Sequence, residues 1–482
     1  LMEELECELR RVEVEIALLR SVAWWYILPG ATGVVIFLAG LNLPGIMTGS
    51  CAVFVIALNA FIYRMNQIAC DKKLVPVKRD LESLLRIEGT DAPPEEERRN
   101  FMAKLMMIGL GLAGWFGSFF LKGEEVRPSA GSLDPISQML EEIRLEHKFP
   151  ALAAAVVVDG KIVATNAVGF RKQGGTEAVT VNDKFHLGSV TKSMTATVAA
   201  MLVEDGKIGW KTTIGESFRD LGEDLHDDYR KVTLEQLLAH RGGAPGKAPR
   251  PLWAKAWEAN GTPAEQRLEF VKGLLAQKPE AEPGTKYIYS NQGYAIAGVM
   301  LEKAAGKAWE DLMRERLFKP LGMESAGFGA PATVGEVDQP WGHTKQSLTG
   351  LKPVPPGPRA DNPAAIGPAG TVHCSLPDLA RYVMFHLAGE KGGSKLLSAE
   401  SFKKLHTPAG DDYALGWVVL ERGWAGGRAL MHNGSNTMFY VVVWMAPELN
   451  RGVMVATTVG VDKAFKGCDE AAGKLIRQFI QK

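Results

Sequence analysis

Gly188-Ser189-Val190-Thr191-Lys192 runs into Met194 to Val203, an apolar stretch of mostly small residues that predicts a buried helix. Three residues is nearly one helical turn, so the Ser189 hydroxyl and the Lys192 amine fall on one face. A serine hydroxyl is a poor nucleophile until a base takes its proton. A lysine serves as that base once burial leaves it neutral. The spacing alone carries little, because Ser401-Phe402-Lys403-Lys404 also has it; that second copy lies in a polar helix without companion motifs and is read as chance.

Two companions follow the first copy. Tyr289-Ser290-Asn291 is the only YxN in the chain. A phenol near Lys192 can relay a proton to a leaving group, and the Asn291 amide can hold both the lysine and a substrate carbonyl. His432-Asn433-Gly434-Ser435 stands directly after one predicted strand and before another. Gly434 would let substrate approach the backbone, and the Ser435 N–H would pair with the Ser189 N–H as an oxyanion hole. His240-Arg241-Gly242 also fits HxG, but it follows the helical stretch Leu234 to Leu238 and is read as structural.

Around these motifs the pattern is that of a mixed α+β domain. Ile136 to Lys148 has helical spacing, and Leu152 to Val158 with Ile162 to Val168 flank Asp159-Gly160 as a hairpin. Arg428 to Met431, Phe439 to Met445 and Gly452 to Thr457 read as strands, and a helix from about Lys463 closes the chain. One antiparallel sheet built from both ends, flanked by helices and interrupted by a mostly helical insertion, fits this order. The Pro-rich stretch Pro353 to Pro368 is expected as a surface or site-edge loop.

The order SxxK, YxN, HxG resembles the serine β-lactamase and penicillin-binding superfamily. Its YxN form points to the class C β-lactamase, D-aminopeptidase and esterase branch. Leu237-Leu238-Ala239-His240, Pro320-Leu321-Gly322-Met323, Gly367-Pro368-Ala369-Gly370, Asp378-Leu379-Ala380 and Tyr413-Ala414-Leu415-Gly416-Trp417 are similar to that family as well. The resemblance spans residues 132–482 and implies a β-lactamase/transpeptidase-like sheet with a helical subdomain. It further implies that Ser189 forms the acyl-enzyme, that Lys192 and Tyr289 act as base and acid, and that Asn291 orients substrate. His432 would fill the lysine position of the family's KTG motif. A histidine with an ordinary pKa of about 6.5 is mostly neutral at pH 7, so the fixed charge for a penicillin carboxylate is missing and esters or small amides gain weight.

Residues 1–130 read as a membrane module. Ser21 to Tyr63 contains no charged residue, about twice the roughly 20 residues that one membrane helix needs. Spans over about 22–41 and 46–63, joined at Asn42-Leu43-Pro44-Gly45, are expected, with a third over 105–121, where Gly109, Ala113 and Gly117 share a face. The segment 64–104 carries Arg64, Lys72, Lys73, Lys78, Arg79, Arg86, Arg98, Arg99 and Lys104, so the positive-inside rule makes it cytoplasmic and puts the α+β domain outside the cytoplasm, on the periplasmic side. Residues 2–20 read as a charged helix entering the first span.

Lys+Arg and Asp+Glu are equal at 55 each, and no basic patch or zinc pattern points to nucleic acid. Among the five cysteines, Cys374 and Cys468 fall in the α+β domain, and no CxxC is present. HExxH and paired zinc cysteines are absent, so no metal or organic cofactor is expected. The sequence thus predicts a membrane-anchored serine hydrolase acting on a small ester, amide or peptide. A membrane sensor that is acylated but turns over slowly is the alternative.

Overall fold

Asp134 starts the first helix, α1 (Pro135–His147): its carboxylate accepts from the Ile136 and Ser137 N–H groups, Pro135 takes the first helical position, and Lys148 at φ 54° ends it. The structure is a computed structural model describing residues 134–481 except 347–349, 393 and 461, together with Glu13, Arg64 and Asp71. The chain divides into two units, Leu1–Pro128 and Ser129–Lys482. The second contains all that follows. Every expected membrane span lies outside the described residues, and among those described no helix is long and apolar enough to cross a membrane.

After α1 come β1 (Ala151–Val158) and β2 (Lys161–Gly169). Their turn uses Asp159 and Gly160 at φ 50° and 71°, the left-handed pair that a tight hairpin needs. β3 (Lys184–His186) leads through the turn Gly188–Val190 into α2 (Thr191–Glu204). The helical insertion includes α3 (Leu234–Leu238), α4 (Pro263–Leu275) and α5 (Asn291–Ala305). β4 (Gly327–Phe328) precedes the antiparallel pair β5 (Gly342–Gln346) and β6 (Gly350–Val354). β7 (Val372–Ser375) pairs with both β3 and β4. Helices α6 (Leu376–Gly389) and α7 (Ala399–His406) then lead to β8 (Val418–Arg422), β9 (Gly427–Ser435), β10 (Tyr440–Ala446) and β11 (Arg451–Thr457), and α8 (Asp462–Phe479) ends the fold.

The main sheet has six antiparallel strands in the order β2-β1-β11-β10-β9-β8, so both ends of the unit meet at β1 and β11. Helices cover both faces. Leu152, Ala154 and Val156 join Leu140, Ile143, Ala471 and Leu475 of α1 and α8, whereas Ala153, Ala155 and Val157 face the core shared with α2 and α6. A strand buried on both sides loses polar alternation, which is why β1 reads as a continuous apolar run. Two differences from expectation stand out in this sheet. β8 was not foreseen, because its exposed Glu421 and Arg422 end an edge strand. His432 to Ser435 also lie inside β9 rather than after it, because pairing with β10 continues through Gly434↔Val441 to Ser435↔Tyr440.

In the helical layer, Arg267 of α4 is fully buried and binds Glu302 of α5 at 2.7 Å and Glu310 at 2.8 Å, and its Nη1 also donates to the Ala364 carbonyl at 3.1 Å. This ties α4 and α5 to the loop that runs on to Ala369. Cys374 and Cys468 are buried free thiols. Removing one partner of a buried ion pair strands the others, so Arg267→Met should lower unfolding free energy by about 3–5 kcal/mol. A wild-type urea midpoint for the variant would contradict that role for Arg267.

Candidate active site

The nucleophile turn is built by close backbone approach. Gly188 has φ +49°, and a Cβ there would lie 2.3 Å from Ser435 N; a Cβ on Gly434 would lie 2.0 Å from Leu187 O and 2.5 Å from Ser189 N. Each glycine therefore fits into the backbone of the other segment. The interlock sets the end of β9 at Ser435 against the nucleophile turn, where Ser189 N stands at the start of a helical turn and lacks a helical partner. The missing side chain of Gly434 admits the nucleophile turn. The Ser435 hydroxyl is occupied elsewhere, accepting from Thr437 N at 2.9 Å.

Ser189 is half-buried between buried Gly188 and Val190. Lys192 is fully buried, and its Nζ lies 3.0 Å from Ser189 Oγ, 2.7 Å from Asn291 Oδ1 and 2.9 Å from Ala369 O. Desolvation pushes its pKa well below the ordinary lysine value, with no carboxylate acting against it. A neutral amine has two N–H groups and one lone pair. The two carbonyl-type oxygens take the N–H groups, so the lone pair is left for the Ser189 hydroxyl to donate to. The second SxxK copy lacks this arrangement: Ser401 Oγ donates to Glu204 at 2.6 Å, and Lys404 pairs with Glu235.

Tyr289 and Asn291 flank the N-cap of α5, where Ser290 Oγ accepts from Gly293 N at 3.0 Å. The Tyr289 ring sits 4.7 Å from Lys192 Nζ. Tyr289 is exposed along one side, but desolvation of its hydroxyl among the protein atoms around it holds the phenol above the ordinary tyrosine pKa, while hydrogen bonding with Ser189 pulls the other way. The phenol is therefore protonated at neutral pH.

His240 belongs to this site although its sequence context suggested only a structural residue. Its carbonyl accepts from Ile288 N at 2.8 Å and its Nδ1 from Ser290 N at 3.1 Å, gripping the chain on either side of Tyr289. Its ring centroid is 4.4 Å from that of Tyr289 and 4.7 Å from that of Tyr413. His432 stands in β9. It is buried, its Nδ1 donates to Asn433 O at 2.6 Å, and its Nε2 accepts from Tyr413 OH at 3.0 Å. Burial, helped by nearby Lys192, pushes its pKa down to about 3. Both ring nitrogens of His432 are thus engaged by the protein.

Two other residues had no sequence signal. His186 Nδ1 accepts from Gly188 N at 3.1 Å, and its Nε2 lies 2.5 Å from Asp361 Oδ1. Asp361 comes from the Pro-rich loop, which thus forms the site's edge, and Asn362 donates to Gly370 O at 2.7 Å in the same loop. Among the described residues, the one cluster able to gather three metal ligands is Glu146, His147 and Glu470 on α1 and α8, across the sheet from Ser189. For the interlock, Gly434→Ala should slow acylation of Ser189 by roughly 100-fold, because a shift near 1 Å in a reacting group has that effect. Overpacking should also remove about 1–3 kcal/mol of stability. Unchanged labelling by a serine-reactive phosphonate would mean the two segments can part without consequence.

A family profile described as Beta-lactamase matches residues 136–474. An unguisins hydrolase of Aspergillus campestris is 28% identical over 354 residues, covering 69% of this chain and 64% of its own length. Penicillin-binding protein 4 of Amycolatopsis lactamdurans is 28% identical over 295 residues, covering 61% of this chain and 74% of that protein. The chain therefore spans less than two thirds of the first relative. Among solved structures, the octameric penicillin-binding protein homologue from Pyrococcus abyssi aligns with a TM-score of 0.58 at 24% identity, over 70% of this chain and 76% of that one. The D-amino acid amidase from Ochrobactrum anthropi SV3 aligns with a TM-score of 0.58 at 19% identity, over 71% and 95%. The profile match extends from α1 into α8, and on that ground the chain belongs to the β-lactamase family.

Proposed function

We propose that this chain is a serine hydrolase that cleaves an amide, ester or peptide bond through an acyl-Ser189 intermediate. The observation that carries this is the Lys192 amine, buried and aimed by two acceptors so that its lone pair meets the Ser189 hydroxyl. Ser189 gives its proton to Lys192 as Oγ bonds to the substrate carbonyl carbon. The N–H groups of Ser189 and Ser435 receive the oxyanion. Collapse breaks the bond to the leaving group, which takes a proton from Tyr289 while Lys192 returns one to the phenol. Water then attacks the acyl carbonyl by the reverse route, and Ser189 recovers its proton.

A protonated phenol beside the reacting serine suits an amine leaving group, which must be protonated as it departs. The hydrolase name of the Aspergillus relative agrees with bond cleavage. The neutral His432, in the position of a lysine in the family's KTG motif, supplies no fixed charge for a carboxylate, so acyl groups without one are favoured over penicillins. The YxN and HxG forms support the class C-like esterase and D-aminopeptidase branch.

Residues 1–130 would anchor the hydrolase with its catalytic unit outside the cytoplasm; the uncharged stretch Ser21 to Tyr63 and the basic segment 64–104 support this. Protease added to intact cells should then cut the catalytic unit, and complete protection would remove that topology.

Purified protein should be labelled at Ser189 by a fluorophosphonate and hydrolyse p-nitrophenyl esters and D-aminoacyl amides with multiple turnover. Ser189→Ala should abolish both, and the volume-conserving Lys192→Met should slow labelling by about 10²–10⁴-fold. Since only the neutral amine accepts the proton, the labelling rate should rise with pH through a Lys192 inflection below 10.5. It should show no His432 step between about pH 5 and 8. Labelling of Ser189→Ala equal to wild type would overturn the reading, and a stable adduct without turnover would favour a sensor.

A further inference from the structure

Behind the nucleophile helix runs a buried polar chain that the reaction above leaves unused. Ser193 Oγ donates to Val190 O at 2.8 Å, fastening the first turn of α2 to the turn that holds Ser189. Tyr382 of α6 donates to Ser193 Oγ at 3.0 Å and lies 3.1 Å from Thr197 Oγ1. Thr197 Oγ1 is 3.2 Å from His386 Nε2, His386 Nδ1 is 2.8 Å from His406 Nε2, and His406 Nδ1 is 2.7 Å from Glu390 Oε1. Arg428 of β9 closes the outer end on Glu390 Oε2 at 2.9 Å. Ser193, Thr197, Tyr382, His386 and His406 are all buried, and Phe402 and Trp417 pack their rings against His386 at 5.4 and 5.2 Å.

With both histidines neutral, the protons in this chain line up in one order. Glu390 is held ionised, its pKa lowered to about 2 chiefly by the bond from His406 and by Arg428, so it accepts only. His406 must then carry its proton on Nδ1 and, being neutral, accept on Nε2. His386 donates to that nitrogen from Nδ1 and accepts on Nε2. The Thr197 hydroxyl is the donor left to fill that place. Thr197 Oγ1 also donates to the Ser193 carbonyl at 2.8 Å, so its one proton is shared between that carbonyl and His386 Nε2. A carboxylate at the protein's edge is thus linked through two histidines to the hydroxyls on the face of α2 behind Lys192. Apolar residues would fill this space at lower cost in desolvation, so a chain with every member satisfied points to a positioning task.

We infer that Glu390, His406 and His386 are positioning residues for acyl transfer, which fix the rotation of α2 through Thr197 and Ser193 and so hold Lys192 Nζ against Ser189 Oγ. This rests on the serine-hydrolase reading proposed above. The variants are Thr197→Val, which keeps shape and removes the hydroxyl, Thr197→Ser, which restores it, and the half-buried Glu390→Gln, which removes the orienting charge without touching the core.

Full-length protein would be assayed for the rate constant and half-saturation of fluorophosphonate labelling at Ser189, beside thermal unfolding. Thr197→Val should lower the rate constant by roughly 10- to 100-fold with half-saturation unchanged. Glu390→Gln should lower it in the same sense and Thr197→Ser should recover it, all with melting curves close to wild type. Wild-type rate constants in both Thr197→Val and Glu390→Gln would overturn the inference while leaving the hydrolase reading intact. So would a loss in Thr197→Val that Thr197→Ser fails to restore. Absence of Ser189 labelling in the wild type would remove the hydrolase reading and this inference with it.

Discussion

The structure turns on one buried amine. Lys192 sits without a counter-ion inside the protein, and a charged ammonium there would have to be compensated by hydrogen bonds alone. Burial therefore selects the neutral form, and Asn291 Oδ1 with Ala369 O take its two N–H groups. These acceptors come from the N-terminus of α5 and from the loop before β7, two segments far apart in the chain. Neither contact is chemistry by itself, but together they fix where the lone pair points.

Much of the remaining architecture serves that placement. Arg267 joins α4 and α5 to the segment that ends in Ala369, so a buried ion-pair group lies behind both acceptors of Lys192. The Gly188–Gly434 interlock sets β9 against Ser189 from the opposite side. Interfaces of this kind tolerate no added atom, because backbone meets backbone without a side chain to yield. Precision at Ser189 thus comes from packing of the sheet edge, whereas basicity at Lys192 comes from the helical layer.

The sequence discloses the parts of this design that are local. Helical spacing gives α1 and α2, Asp159-Gly160 gives the hairpin, and the order SxxK, YxN, HxG brings Ser189, Lys192, Tyr289, Asn291 and Gly434 to attention. What it hides depends on contacts between distant segments. His186 and Asp361 are 175 positions apart in numbering and belong to no pattern, yet they meet at 2.5 Å beneath the nucleophile turn. His240 was visible within Leu237-Leu238-Ala239-His240, but only the fold shows it gripping the backbone around Tyr289. His432 was legible as the residue replacing a lysine, while its burial, and so its inward-facing bonds, depends on the β9 register against β10.

Histidine recurs in these hidden roles for a physical reason. A neutral imidazole carries one donor and one acceptor on opposite edges of a rigid ring, so it can join two elements and transmit the direction of a hydrogen bond between them. His432 does this between the β9 backbone and Tyr413, and His386 with His406 does it between α2 and Glu390. Burial keeps the pKa of each below the ordinary histidine value. A lysine, with three donors and no acceptor when charged, could not link these pairs and would place a cation near Lys192. A neutral histidine at this position therefore keeps a charged neighbour, and the proton exchange it would bring, away from Lys192.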